Sequence, residues 1–313
     1  MTLTSAPFYA EICTSGDNAT AYWARTSDNK RVRLAVWGQN ASRGTIFLFP
    51  GRTEYVEKYA ACAADLKSRG YCTIAVDWRG QGLADRLLDD PMVGHVAKFQ
   101  DYQKDVDALM SAAGELGLPK PYYLVAHSMG GAIGLRALKN GLPVKAAAFS
   151  APMFGIHLAK HLRPAAWILS HIMPLLGKGN SYPPNTSPES YVLVAPYEDN
   201  MLTTDATMFK LMTDQVAKYS ALGLGGPSFV WLREALRETR SLAALPSPDI
   251  PTLTFLGTNE RIVRVSSIYD RMKRWDKGSL TLVEDAEHEI FMEAQSIRDD
   301  AFDQITALFA QYI

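Results

Sequence analysis

Tyr122-Tyr123-Leu124-Val125-Ala126-His127-Ser128-Met129-Gly130-Gly131 is the stretch that decides how this chain is read. An apolar run stops at a small residue, a serine follows two positions later, and then come two glycines and a helical pattern. That order is strand, tight turn, helix, the context of a nucleophile elbow that lifts a serine hydroxyl onto a strained turn. Small residues are needed around the serine because the turn brings strand and helix close together. Gly130 and Gly131 meet that need, and Ala126 stands where the G-x-S-x-G pattern has its first glycine. The competing reading is a serine in a Gly-rich turn that caps a helix.

The flanking sequence supports the first reading. Ala19 to Trp37 reads as a hairpin around Ser27-Asp28-Asn29-Lys30. Thr45–Phe49 is a short continuous apolar run, as expected of a strand covered on both faces, and it ends at Pro50-Gly51. Val56 to Arg69 has helical periodicity, Tyr71 to Val76 reads as a buried strand, and Val96 to Leu116 as a long amphipathic helix. The helix after Ser128 ends near Gly141, and Val144 to Phe149 is a further strand. This β–α alternation predicts an α/β fold, a mostly parallel central sheet with helices on both faces.

The rhythm breaks after Ser150-Ala151-Pro152. From Met153 to Val230 the sequence offers apolar helical pieces such as Ala159–Leu176, a Pro/Asn/Ser-rich stretch and a Gly-rich stretch, but no clear buried strand. It resumes at Trp231, with a strand at Pro251–Leu256, a helix at Val265–Trp275, a strand at Ser279–Val283 and a closing helix from Phe291 to Tyr312. The expected organisation is an α/β core in two parts, residues 1–152 and 231–313, interrupted by a helical cap at 153–230.

Composition narrows the function. The 313 residues are 47% hydrophobic with a formal net charge of −1, so a large core is available. No basic run stands out, which argues against nucleic acid as a partner. Cys13, Cys62 and Cys72 have no metal-ligand spacing and read as ordinary thiols of a reducing compartment. There is no basic start followed by an apolar run at the N-terminus, and no apolar stretch of membrane-spanning length. A cytoplasmic protein is the expectation.

A serine hydroxyl is a poor nucleophile at neutral pH. It needs a base to take its proton, and the base needs a carboxylate to fix its tautomer. On a sheet of this kind the partners follow the serine in the order acid, then histidine. His95 and His127 precede Ser128, while His157, His161 and His171 fall in the insertion. Only His288 follows the last expected strand, in the polar loop Asp285-Ala286-Glu287-His288-Glu289. For the acid, Glu260 follows the strand Pro251–Leu256. Asp249 lies at the wrong end of that strand, and Asp285 and Glu287 are too local to His288 to orient it. The alternative for Glu260 is a surface pairing with Arg261 or Arg264. The negative oxygen of a tetrahedral intermediate needs preorganised donors, expected from the backbone N–H groups of Met129 and Arg52, the latter after Gly51. The candidate triad is therefore Ser128, Glu260 and His288, with no metal or organic cofactor required.

Four stretches resemble a known family, the α/β-hydrolases of the bacterial lysophospholipase L2 and monoacylglycerol lipase group, also classed with the serine aminopeptidases. They are Pro50-Gly51-Arg52-Thr53-Glu54 with Lys58-Tyr59, Asp77-Trp78-Arg79-Gly80-Gln81-Gly82, the elbow around Ser128, and Glu260-Arg261-Ile262-Val263. Pro50, Ala126 and Glu260 depart from the commoner histidine, glycine and aspartate. The resemblance implies a serine esterase acting on single-acyl-chain lipids, with a cap that supplies the acyl pocket. Gly51, His127, Phe154, Trp167 and Met173 are the substrate-binding candidates. His157, Lys160, His161 and Arg163 give the segment Ala159–Leu176 a basic end, which suggests peripheral contact with a membrane surface or micelle. A short-chain carboxylesterase and a non-catalytic ligand-binding module are the competing functions.

Overall fold

The structure, a computed structural model, describes residues 3–14 and 19–312. The chain opens with β1 (Thr4–Ser5), β2 (Thr20–Arg25), β3 (Arg31–Trp37) and β4 (Thr45–Phe49). A short 3-10 stretch, Val56–Tyr59, leads into α1 (Ala60–Ser68), followed by β5 (Cys72–Asp77), α2 (Asp101–Glu115), β6 (Tyr122–His127), α3 (Met129–Lys139) and β7 (Ala147–Ser150). Four helices come next, α4 (Arg163–Leu175), α5 (Tyr191–Val194), α6 (Ala206–Lys218) and α7 (Phe229–Ala244). The chain then closes with β8 (Thr252–Gly257), α8 (Val265–Met272), β9 (Gly278–Val283) and α9 (Gln295–Phe309).

The strands form one sheet in the order β1-β2-β3-β5-β4-β6-β7-β8-β9. β1, β2 and β3 pair antiparallel, β3 joins β5 antiparallel, and every pairing from β5 to β9 is parallel. The α/β fold expected from the β–α rhythm is the fold observed. Side chains alternate between the faces of a strand, and the core divides accordingly. Phe47, Phe49, Ile74, Val76, Leu124 and Phe149 pack under α2, α3, α7 and α8. Ile46, Leu48, Ala75, Tyr123, Val125 and Phe255 pack on the other face under α1 and α9. A sheet covered twice explains why β4, β5 and β6 are buried along their whole length.

Several boundaries moved. The helix expected over 96–116 starts at Asp101, although Val96 and Phe99 are buried as its apolar pattern suggests. They are loop residues, and Phe99 packs edge-on against Tyr102. The helix expected from Ala159 starts at Arg163, where Pro164 stands in its first turn. Trp231 lies inside α7, not at the start of a strand-forming unit, and the sheet resumes only at β8. No described residue between β7 and β8 belongs to a strand of the sheet.

The start of α3 presses on the end of β4. A Cβ at Gly130 would lie 2.1 Å from the Phe49 carbonyl oxygen and 2.5 Å from that of Pro50. Gly130→Ala is therefore expected to destabilise the protein by about 3 kcal/mol, the upper range for overpacking. Gly114, exposed in the last turn of α2, has nothing within 4 Å of an added Cβ. Gly114→Ala should be neutral or slightly stabilising. Chemical unfolding of the two variants reads the difference in sign.

Candidate active site

The sheet topology creates the site. From β4 the chain crosses to β5 on one side, whereas β6 lies on the other. Such a switch point leaves a crevice beyond the carboxyl ends of the two strands. Phe49 pairs with Ala126, so the loop after β4 and the turn after β6 emerge side by side. Ser128 sits in that turn with φ +49° and ψ −118°, outside the regions open to ordinary L-residues. Such a conformation costs about 1–3 kcal/mol and survives only where the surroundings hold it. Here the Ser128 amide donates to the Ser150 carbonyl at 3.1 Å, and its own carbonyl accepts from Gly131 (2.9 Å) and Met153 (2.8 Å).

Glu260 and His288 come together from loops separated by a strand and a helix. Nδ1 of His288 lies 2.6 Å from Oε2 of Glu260, and both side chains are buried. The other carboxylate oxygen accepts from the amides of Ile262 (2.5 Å) and Val263 (2.9 Å). Burial works against charge on Glu260, but His288 and these two amides outweigh it and hold its pKa below the ordinary carboxylate value. Burial likewise works against charge on the His288 ring. Glu260, helped by Glu289 and Glu54, overrides it and raises the His288 pKa above 6.5. Arg261, the surface partner considered for Glu260, pairs instead with Asp199 and Glu287. Asp249 pairs with the exposed Lys277. The segment after β7 straps the acid loop in place, with Ile156 bridging Val263 and the Arg264 amide donating to Gly155 at 2.9 Å.

The loop after β4 is held from three sides. The Gly51 amide donates to Oε2 of Glu54. Trp78 Nε1 donates to the Pro50 carbonyl (2.9 Å), and Gln81 Nε2 donates to the carbonyls of Gly51 (2.8 Å) and Glu54 (3.0 Å). The Asp77–Gly82 turn is thus a scaffold for this loop. Gly51 lies against Ser128, since a Cβ there would come within 3.1 Å of the serine Cβ. None of the hydrogen bonds among the described residues takes the Arg52 amide. The Met129 amide is in the first turn of α3, where helical N–H groups lack intrahelical partners.

Beneath the loop lies a buried charge network that the sequence reading did not assemble. Glu54 accepts from Tyr59 Oη (2.5 Å) and pairs with Lys58 (2.7 Å), and Lys58 also pairs with Glu289 (2.5 Å). Burial disfavours charge on Glu54, yet Lys58, His127 and Tyr59 bring its pKa down to about 2. His127 stands 3.7 Å from Glu54 and puts Nδ1 against the Ser150 carbonyl at 3.1 Å. Burial, only partly opposed by Glu54, pushes its pKa down to about 3, so it is neutral. Glu54, His127 and Glu289 offer ligand atoms within 4.8 Å of one another. The Lys58 ammonium already pairs with both carboxylates of that group. The i, i+4 spacing of Glu54 and Lys58 is the one local signal for this network.

A pocket of about 290 Å³ opens on these groups. Ser128, His288, Arg52, His127 and Met129 line it, and its apolar wall comes from Met153, Ile156, Val192, Met212, Val216 and Trp231. Three of the expected substrate contacts lie elsewhere. Phe154 is buried against Phe149 in the core. Trp167 faces a separate cleft beside α7, stacked on His171 and under the Arg240 guanidinium. Met173, on α4, is also outside the pocket lining. The reason is packing: the side of α4 that carries Trp167 rests on α7, and the pocket wall is left to α5, α6, the start of α7 and the loops around them. His95, His157, His161 and His171 also lie outside the pocket lining.

Comparison with known proteins agrees with this architecture. Residues 40–295 match the family described as serine aminopeptidase, S33 (Hydrolase_4). The chain belongs to this family of α/β-hydrolases. It is 31% identical over 295 residues to lysophospholipase L2 of Escherichia coli K12, covering 91% of this chain and 86% of that protein. Its fold is similar to a soluble variant of the Saccharomyces cerevisiae monoglyceride lipase, with a TM-score of 0.74, 15% identity, and coverage of 98% of this chain and 100% of the other. It is also similar to the monoacylglycerol lipase of Paleococcus ferrophilus, with a TM-score of 0.69, 18% identity, and coverage of 90% and 99%.

A raised His288 pKa has a defined consequence. The imidazole must be neutral to accept a proton, so reaction of Ser128 with a fluorophosphonate should fall as pH drops through a value above 6.5. Glu260→Gln removes the charge that raises that value. The acid limb should then move to lower pH, and the plateau rate should drop roughly 10³–10⁴-fold.

Proposed function

We propose that this chain is a carboxylic-ester hydrolase of single-acyl-chain lipids, lysophospholipids or monoacylglycerols, working through an acyl-enzyme on Ser128. The observation that carries the reading is the buried 2.6 Å Glu260–His288 pair, whose histidine lines the same apolar-walled pocket as an elbow serine. In this reading the Ser128 hydroxyl attacks the ester carbonyl and His288 Nε2 takes its proton. Glu260, bound at Nδ1, keeps the other nitrogen free as the base and stabilises the imidazolium. The amides of Arg52 and Met129 receive the negative oxygen. His288 returns the proton to the leaving glycerol oxygen, and water repeats the sequence on the acyl-enzyme. The relatives named for lysophospholipid and monoglyceride hydrolysis support the substrate class.

The segment 153–230 serves as the cap over this site. Met153, Ile156, Val192, Met212 and Val216 give the pocket an adaptable wall suited to an acyl chain. No described helix is long and apolar enough to cross a membrane. The cap nonetheless presents an apolar surface at α4 and the residue after it, with Leu175 85% exposed, Leu176 66% and Ile168 55%. With the exposed Lys160 and His161 just ahead of that helix, this supports peripheral contact with an anionic lipid surface.

Hydrolysis of p-nitrophenyl esters from acetyl to palmitoyl tests the chemistry. Wild type should prefer medium or long chains, and Ser128→Ala should lose roughly 10³-fold or more. A sharp optimum at acetyl would favour a small-ester enzyme instead. For the surface contact, charge reversal at Lys160 and Arg163 should weaken binding to anionic vesicles roughly tenfold or more, with turnover of soluble esters kept. Unchanged vesicle binding would remove the interfacial role.

A further inference from the structure

Arg52 carries more than a backbone amide. Arg52 lines the same pocket as Ser128 and His288, as does Trp231 beside its guanidinium, and among the described residues no carboxylate pairs with it. One guanidinium nitrogen donates to the Gly225 carbonyl, the group lies 5.4 Å from the Trp231 ring centroid, and it rests against the backbone of Gly94. Nε is buried with no hydrogen-bond partner. Burial lowers the guanidinium pKa to about 10, so it remains charged at neutral pH. Lys58, the other basic side chain lining the pocket, is neutralised by Glu54 and Glu289. The pocket therefore holds one uncompensated cation among the described residues. A poorly hydrated charge without a partner is costly, and the cost is recovered when an anion enters.

The chemistry of the substrate class says which anion. In a lysophospholipid the glycerol backbone separates the scissile ester carbonyl from the phosphate by about the length of an extended arginine side chain. With the carbonyl oxygen at the Arg52 amide, the phosphate of the same molecule comes within reach of the Arg52 guanidinium. A monoacylglycerol offers only a neutral hydroxyl there. Building on the lipid-ester reading above, we propose that Arg52 binds the phosphodiester of a lysophospholipid and so makes this chain favour lysophospholipid over monoacylglycerol. Guanidinium and phosphate meet in charge-assisted hydrogen bonds, which are stronger than neutral ones.

The test is a ratio, because the Arg52 amide also serves the oxyanion and any disturbance of the loop should affect both substrates. Palmitoyl lysophosphatidylethanolamine and monopalmitoylglycerol are compared in the same neutral detergent micelles. Arg52→Met, which keeps the amide and an apolar stem, should lower the kcat/KM ratio of phospholipid to glyceride about 30-fold. Arg52→Lys should restore part of it. A ratio unchanged within about threefold overturns the inference while leaving the lipid reading intact. Wild type that cleaves p-nitrophenyl esters but neither lipid overturns the lipid reading and this inference with it. Wild type alone supplies an independent check should the variants fail to fold. Glycerophosphoethanolamine should compete with p-nitrophenyl butyrate, and glycerol and inorganic phosphate at matched ionic strength should compete more weakly. Equal inhibition by inorganic phosphate would point to a general anion site and overturn the reading of a substrate head group.

Discussion

No side chain fits between the first turn of α3 and the carboxyl end of β4, and the rest of the site follows from that contact. A Cβ at Gly130 would collide with the Phe49 and Pro50 carbonyls. Because glycine stands there, α3 can begin directly above β4, and Ser128 is forced into its positive-φ turn. The same approach sets Ser128 beside Gly51, at the point where the order of the sheet reverses. The strain at Ser128 is borne by three backbone hydrogen bonds, to Ser150, Gly131 and Met153, so a rigid parallel core holds a local conformation that a short peptide would not keep.

Around this mechanical constraint is an electrostatic one. Four ionisable side chains, Glu54, Lys58, Glu289 and His127, are buried together beneath the serine turn. Burying charge is expensive unless it is paired and hydrogen-bonded. Here Lys58 joins the two carboxylates, and Glu54 spends its remaining acceptor capacity on Tyr59 and the Gly51 amide. The network pins the loop that carries Arg52 and surrounds two histidines with opposite outcomes. His127, deeply buried and bonded to a carbonyl, stays neutral. His288, facing Glu260, has its charged form favoured. Two imidazoles with ring centroids 4.7 Å apart are thus separated in protonation by their neighbours.

Much of this was legible in the chain itself. The elbow, the strands Thr45–Phe49 and Tyr122–His127, and the order serine, acid, histidine all have local signals: an apolar run ending in small residues, or a polar loop after a strand. Glu260 was distinguishable from Asp249 because the two stand at opposite ends of one strand. Less legible was the pocket wall. Phe154, Trp167 and Met173 are as apolar as Met153, Val192 and Met212, and hydropathy does not say which side of a helix meets the core. In the structure Trp167 turns toward α7 and Phe154 toward Phe149.

The sequence by itself determined the alternation of elements, the strained serine turn and the residue types able to act as base and acid, because each depends on periodicity or on a residue within a few positions. The tertiary structure alone decided the rest. It brought Glu260 to 2.6 Å from His288, joined Glu54 to Glu289 through Lys58, and left Arg52, which lines the pocket, charged and without a carboxylate partner among the described residues. Those contacts link loops from distant parts of the chain, and their energies depend on burial, which exists only after the sheet has assembled.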